Sequence, residues 1–235
     1  FVPNDAQHFG NNKWYHTLVD SEEAWDITLG SSNVKIAIID NGVANNHNDL
    51  TIYKQRDVSD NDDDASPAVY FNQNGGWSHG THCAGLAAAD INNGTGIASL
   101  GGNAEIIAVK ATPSSTDGGS IYNSYSGIQW ACENGANIVS MSYGSSNQSE
   151  AIQNLINSYP DIIFIAAAGN ENVSTTLYPA GYQNVIAVGS VDGNDLKSSF
   201  SNYNAGLFAW VDIASPGGYT FGGLLSTVYT SSGNS

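Results

Sequence analysis

Six runs rich in Val, Ile and Ala, each of strand length, constrain this chain more than anything else in it: Val34–Asp40, Ala104–Ala111, Asn137–Tyr143, Ile162–Ala168, Val185–Val191 and Phe208–Ala214. Most are apolar at consecutive positions instead of alternating, as strands are when both faces of their sheet are covered. Helical patterns lie between them at His79–Ala89, Ser120–Asn134 and Ser149–Tyr159. A further short helix over Ser21-Glu22-Glu23-Ala24-Trp25 is expected, N-capped by Ser21 and with acids in its first turn. Strands alternating with helices imply an α/β fold: a parallel sheet with helices on both faces. In such sheets ligands gather at the carboxyl ends of strands, where Asp40 and Asn170 fall.

A chain of 235 residues makes one large domain or two small ones, with ample core. It carries 6 Lys+Arg against 22 Asp+Glu, a formal charge of −16. Nucleic-acid affinity is driven by cations meeting phosphates, so that charge argues against a nucleic-acid partner. An anionic membrane surface repels it for the same reason, and no apolar run reaches the ~18 residues that span a bilayer. The two cysteines, Cys83 and Cys132, fall on separate expected helices and are expected to be small thiols inside the fold; a disulfide needs a Cα separation that sequence does not supply.

The stretch Ser78-His79-Gly80-Thr81-His82-Cys83-Ala84-Gly85 starts a helix of small residues with a histidine in its first turn. Such a helix admits close neighbours, and a histidine fixed at its start suits a general base. The same residues also allow a metal pair, His79 with His82, or two satisfied core histidines. Upstream stands Ile38-Ile39-Asp40-Asn41-Gly42, downstream Ile165-Ala166-Ala167-Ala168-Gly169-Asn170. Asp-x-Gly after a strand, then His-Gly-Thr-His-x-Ala-Gly, then Ala-Ala-Gly-Asn, in that order, resembles the subtilisin-like serine proteases, the subtilases. The likeness runs from Val2-Pro3-Asn4-Asp5 through Ser199-Phe200-Ser201-Asn202-Tyr203 to Asp212-Ile213-Ala214-Ser215-Pro216-Gly217. It implies one catalytic domain over residues 1–235, incomplete at its C-terminus, with the subtilisin-like parallel sheet.

The resemblance implies roles for individual residues. His79 is the general base and Asp40 the acid that orients it, so that a serine hydroxyl can attack a peptide carbonyl. His82 is structural, and a metalloenzyme built on His79 and His82 lacks a third nearby ligand. Asn170 is the side-chain donor to the oxyanion. Ser142-Tyr143-Gly144 resembles the segment that pairs with the substrate backbone as an added strand. Ala167-Ala168-Gly169 forms another wall of the pocket for the side chain before the scissile bond. Leu177 stands where subtilisins keep a smaller residue, which favours medium apolar side chains over large aromatic ones.

Two calcium sites are implied. The loop Asp57-Val58-Ser59-Asp60-Asn61-Asp62-Asp63-Asp64 crowds carboxylates that a hard, oxygen-loving cation relieves. It resembles a calcium loop of the furin and kexin branch, with Asp57, Asp62 and Asp64 as ligands. Tyr143-Gly144-Ser145-Ser146-Asn147 replaces that branch's Trp-Gly-Pro-Glu-Asp segment, so cleavage after paired basic residues is not implied. Asp5, Asp49 and Asn93 match the family's strong structural site.

Subtilases carry the nucleophile in a Gly-Thr-Ser-Met-Ala-x-Pro segment, and residues 1–235 contain none. Ser232-Gly233-Asn234-Ser235 lacks that motif. The expectation is that these residues are the larger, N-terminal part of a secreted endopeptidase acting on peptides and proteins. The serine would come from a segment beyond residue 235, or from a C-terminal fragment of the same nicked protein. A helix missing from the sheet would leave apolar surface bare, at ~25 cal/mol per Å². The opening Phe1-Val2-Pro3-Asn4-Asp5 resembles a mature subtilase whose propeptide, needed in folding, has been removed. The alternative is an inert pseudoprotease that binds peptides without cutting them.

Overall fold

The computed structural model describes residues 1–68, 78–206, 209–230 and 233–234. In chain order the elements are α1 (Trp14–Leu18), α2 (Ser21–Trp25), β1 (Lys35–Asp40), β2 (Ile52–Asp57), α3 (His79–Ala88), β3 (Glu105–Lys110), α4 (Ser124–Glu133), β4 (Ile138–Met141), α5 (Glu150–Asn157), β5 (Ile163–Ala167), β6 (Val185–Val191) and β7 (Ile213–Pro216). A short hairpin, β8 (Tyr229–Thr230) with β9 (Gly233–Asn234), follows. The seven long strands form one sheet in the order β2-β3-β1-β4-β5-β6-β7, every neighbour parallel. The expected α/β fold, a parallel sheet with helices on both faces, is what the chain adopts.

Strand alternation sorts the core into two sides. Ala37, Ile39, Ile107, Val109, Val139, Met141, Phe164, Ala166 and Ala187 point to one face and pack with α4 and α5 through Ile128, Ala131, Leu155 and Ile156. Ile36, Ile38, Ile106 and Ala108 point to the other and pack with α3 through Ala84 and Ala88. On α3's side the cover stops halfway across the sheet. Ile163, Ile186 and Ile213, on β5, β6 and β7, are 49%, 40% and 58% exposed. Their neighbours Phe164 and Ala187, pointing the opposite way, are 1% and 0% exposed. The bare half-face lines an open hollow of about 340 Å³ between Ser140, Ile165, Ala167, Val188 and Ser215.

Several elements differ from expectation. Strand β2, Ile-Tyr-Lys-Gln-Arg-Asp, was not expected; it lies at the sheet edge, where polar side chains face water. The last long strand spans 213–216, so only two residues of the expected 208–214 run are in it; Phe208 lies outside the described residues. α4 begins at Ser124, four residues after the expected start, because the Tyr122 and Asn123 N–H groups donate to the Ala111 carbonyl instead of into a helix. Ser21 does not cap α2: Asp20, at φ 51°, takes that place, and the Ser21 hydroxyl pairs with His16 Nδ1 at 3.0 Å. Ser149 does cap α5, accepting from the Ile152 N–H.

The N-terminal helices enclose a ring cluster. His8, His16 and Trp25 stand with centroids 5.0–5.3 Å apart, and all are buried. Among the described residues, His8 Nδ1, His16 Nε2 and Trp25 Nε1 find no hydrogen-bond partner. Burial first, and then the charge of a protonated His8, push the His16 pKa down to about 4. Cys83 and Cys132 are both free thiols, Cys83 half-buried and Cys132 buried.

Candidate active site

β1 delivers Asp40 to the carboxyl edge of the sheet, 2% exposed, and the Asn-Gly turn behind it carries the chain away. α3 starts beside it. His79 Nδ1 lies 2.8 Å from Asp40 Oδ1 and 2.9 Å from Oδ2. The approach depends on Gly80, because a Cβ there would come 2.3 Å from the Gly42 carbonyl oxygen and 2.8 Å from Asp40 Cβ. Asn41 ties both sides together, accepting from the Gly80 N–H at 3.0 Å and donating to the Gly118 carbonyl at 3.1 Å. The charge of Asp40 holds the His79 pKa well above its usual 6.5. His79 Nε2 has no hydrogen-bond partner among the described residues, and the side chain is half exposed. An imidazole anchored at Nδ1 by a buried carboxylate and free at Nε2 is arranged to take a proton from a neighbouring hydroxyl.

Asp40 and His79 line a cavity of about 530 Å³ with Gly118, Gly119 and Ser120 on one side and Ser142, Tyr143, Gly144 and Ser145 on another. Sequence reasoning found the second side and missed the first. Its only signal is an Asp117-Gly118-Gly119-Ser120 turn soon after the carboxyl end of β3. Tyr143 is fixed by its hydroxyl, 2.7 Å from Ser124 Oγ on α4. Ser145 and Tyr178 exchange backbone hydrogen bonds, both 2.8 Å, which carries Leu177 back towards Gly144. A Cβ on Gly169 would come 2.7 Å from Leu177 Cδ1, and one on Gly144 3.5 Å. Leu177 therefore packs between the two expected pocket walls.

Asn170 follows β5 and is exposed, lining the hollow on the bare half-face with Ala167, Gly169 and Ser142. Ala168 is buried below it. Asn202, itself buried and not foreseen as part of the site, organises this loop. Its Oδ1 accepts from the Glu171 and Val173 N–H groups, and its Nδ2 donates to the Ala168 carbonyl. Ser142 lines both the cavity and the hollow.

Residues 31–235 match the model of the subtilase family, peptidase S8. The chain belongs to the subtilase family. It is 39% identical to thermitase of Thermoactinomyces vulgaris over 98% of this chain and 79% of that protein. It is also 39% identical to a thermophilic serine proteinase of Bacillus sp. (strain AK1), over 92% of this chain but 52% of that one. A solved protease of Pseudoalteromonas arctica PAMC 21717 superposes with a TM-score of 0.85 at 29% identity, covering 100% of this chain and 79% of its own. This subtilase chain thus spans between about half and four fifths of these relatives.

The two acidic clusters of the subtilase chain differ in what they offer a cation. Asp5 and Asp49 are 3% and 0% exposed, and neither makes an ion pair among the described residues. Asn93 reaches both, through Nδ2 to Asp49 Oδ1 at 2.7 Å and its N–H to Asp5 Oδ1 at 3.3 Å. Burial first, and then the charges of Asp5 and Asp90, push the Asp49 pKa up to about 6. Buried carboxylates with no counter-charge suit a calcium ion.

Asp57, Asp62 and Asp64 share a recess of about 360 Å³ with Lys110. Lys110 is buried and its ammonium lies 2.5 Å from Asp57 Oδ2, which already neutralises that carboxylate. Asp57 Oδ1 is taken by the Ser59 and Asp60 N–H groups, and Asp62 and Asp64 stay exposed. Lys110 pairs with Asp57 and Asp60 and, among the described residues, forms no ion pair with the exposed Asp62 and Asp64. Among the described residues, the ligand atoms of Asp40, His79 and Cys83 also gather within 4.8 Å, but a thiol and an imidazole are not an oxygen shell for calcium.

Proposed function

We propose that residues 1–235 supply the acid, the base and the oxyanion donor of a serine endopeptidase, with the nucleophilic serine on polypeptide beyond residue 235 or on a second chain of the same nicked protein. The observation that carries this reading is the Asp40–His79 pair: a buried carboxylate bonded to Nδ1, with Nε2 unpartnered at the wall of the cavity. A peptide-binding pseudoprotease needs neither the bonded pair nor a donor at Asn170. The serine would lose its proton to His79 Nε2 as it attacks the carbonyl carbon. Asp40 would stabilise the resulting imidazolium, and His79 would return the proton to the leaving amine. Asn170 Nδ2 would donate to the oxyanion.

The substrate chain would run between Gly118–Ser120 and Ser142–Gly144, pairing with the latter through backbone hydrogen bonds. Leu177, packed between Gly144 and Gly169, shortens the pocket with walls at Ala167, Ala168 and Gly169, which supports medium apolar side chains before the scissile bond. Calcium is proposed at Asp5, Asp49 and Asn93, where it would pin the N-terminus to the loop after α3. Family membership supports an extracellular site of action and a propeptide in folding.

The test is hydrolysis of a peptide amide by residues 1–235 alone and by the protein that continues through a Gly-Thr-Ser segment. The short chain should be inactive and the longer one active. Asn170→Ala in the longer protein should lose about 10²–10³ in kcat, a magnitude taken from subtilisin itself. Hydrolysis by the short chain, or a longer protein with no such serine, contradicts the proposal.

A further inference from the structure

The run Gly223-Leu224-Leu225-Ser226-Thr227 is tied down at every residue. Trp14 Nε1 donates to the Gly223 carbonyl at 3.0 Å, and the Tyr15 hydroxyl donates to the Leu225 carbonyl at 3.1 Å. His82 Nε2 pairs with the Leu224 carbonyl at 3.1 Å. In return, the Ser226 hydroxyl donates to the His82 carbonyl at 2.7 Å and the Thr227 hydroxyl to the Thr81 carbonyl at 2.6 Å. Three of these five bonds go to the first turn of α3, within three residues of His79.

A second observation is steric and independent of the bonds. Gly85 stands on the same face of α3 as Thr81 and His82, at i+4 and i+3. A Cβ at Gly85 would come 2.3 Å from Thr227 Oγ1, 2.4 Å from Ser226 Oγ and 2.9 Å from Thr227 Cγ2. No side chain fits there unless Ser226 and Thr227 move their side chains and give up their bonds to α3. The Gly in His-Gly-Thr-His-x-Ala-Gly therefore has a physical reason, and Thr227, 3% exposed, is what fills the space.

The geometry points to Thr227, helped by Ser226 and made possible by Gly85, as a positioning residue. It latches the 223–227 segment onto the helix that carries the general base. Resting on the serine-protease reading above, this latch sets the approach of the nucleophile to His79 Nε2. A hydroxyl bonded to a main-chain carbonyl gives a fixed distance that apolar packing alone does not, and small misplacements of reacting groups are expensive in rate. The latch touches neither substrate nor reacting atoms, so its signature is kcat without KM.

The experiment uses the longer protein with Thr227→Val, Thr227→Ser and Gly85→Ala. Thr227→Val keeps shape and removes the donor; it should lower kcat and the rate of fluorophosphonate labelling together, by about 10- to 100-fold, with KM within twofold. Thr227→Ser should restore most of the rate, and Gly85→Ala should repeat the loss. Amide exchange in residues 80–86 and 224–228 should quicken in Thr227→Val. A kcat within twofold of the parent in Thr227→Val, whatever happens to its melting temperature, overturns the inference. So does an equal loss in Thr227→Ser. A parent that never labels defeats the serine-protease reading instead, and the exchange measurement still decides the latch: unchanged exchange in Thr227→Val refutes it.

Discussion

The two faces of the sheet carry the same kind of side chain and meet different fates. Under α4 and α5, Phe164 and Ala187 are closed from water; on α3's side the residues just before them, Ile163 and Ile186, are nearly half exposed. The closed face is a finished core, and its residues should govern stability alone. The bare half-face lies beside Asn170 and within the same sheet edge as Asp40, so that the surface left open is the one next to the chemistry. An apolar surface of that kind, beside the Asp40–His79 pair, is where the proposed nucleophile-bearing segment would seat.

The largest effect expected from that contrast is at the base. His79→Ala in the longer protein should lower kcat by about 10⁶, as measured for the corresponding loss in subtilisin, while urea unfolding stays close to the parent. Loss of stability in proportion to activity would erase the distinction between the faces. The retained activity should also follow pH with a definite sign. Neutral His79 is the base and Asp40 favours its charged form, so the rate should rise with pH and favour the alkaline side; Asp40→Asn should move that limb towards lower pH in kcat profiles.

On the closed face, Phe164→Ala should cost about 3–5 kcal/mol in chemical denaturation and leave kcat near the parent value. The ring cluster behind α1 gives the next effect. His16, with its pKa down at about 4 when folded against 6.5 when exposed, takes a proton first in the unfolded chain. Stability should therefore be whole above pH 6.5 and fall as pH drops towards 4, by about 3 kcal/mol. His16→Gln should flatten that acid limb in pH-dependent unfolding; an unchanged limb would remove His16 as its cause. The smallest effect compares one substitution in two proteins. Ile186→Ala should cost under about 1 kcal/mol in residues 1–235, where the side chain is 40% exposed, and about 2–3 kcal/mol in the longer protein should the proposed segment cover it. Equal costs would mean that nothing seats on the bare half-face.

What the sequence makes legible follows from how local each feature is. β1 ends at Asp40 and β5 is followed by Gly169-Asn170 because buried strands must be apolar and the chain turns polar where they end, and that pattern is visible at a glance. β2 is not, since Lys54, Gln55 and Arg56 on an edge strand look like loop. Ser21 looks like a cap, yet its hydroxyl serves His16, a partner chosen by how α1 and α2 pack. The acids of 57–64 stand out as a cluster, but Lys110 arrives from β3, and only the parallel register beside β2 brings its ammonium to Asp57. Gly85 and Thr227 lie 142 positions apart, and nothing short of the fold reveals that one exists to admit the other.

The most direct test is to label the purified longer protein with a serine-directed fluorophosphonate and locate the adduct by mass spectrometry of its peptides. The account predicts one labelled serine, outside residues 1–235, with labelling abolished by His79→Ala. A label on a serine within residues 1–235, or no label on a folded protein whose Asp40–His79 pair is intact, would contradict it.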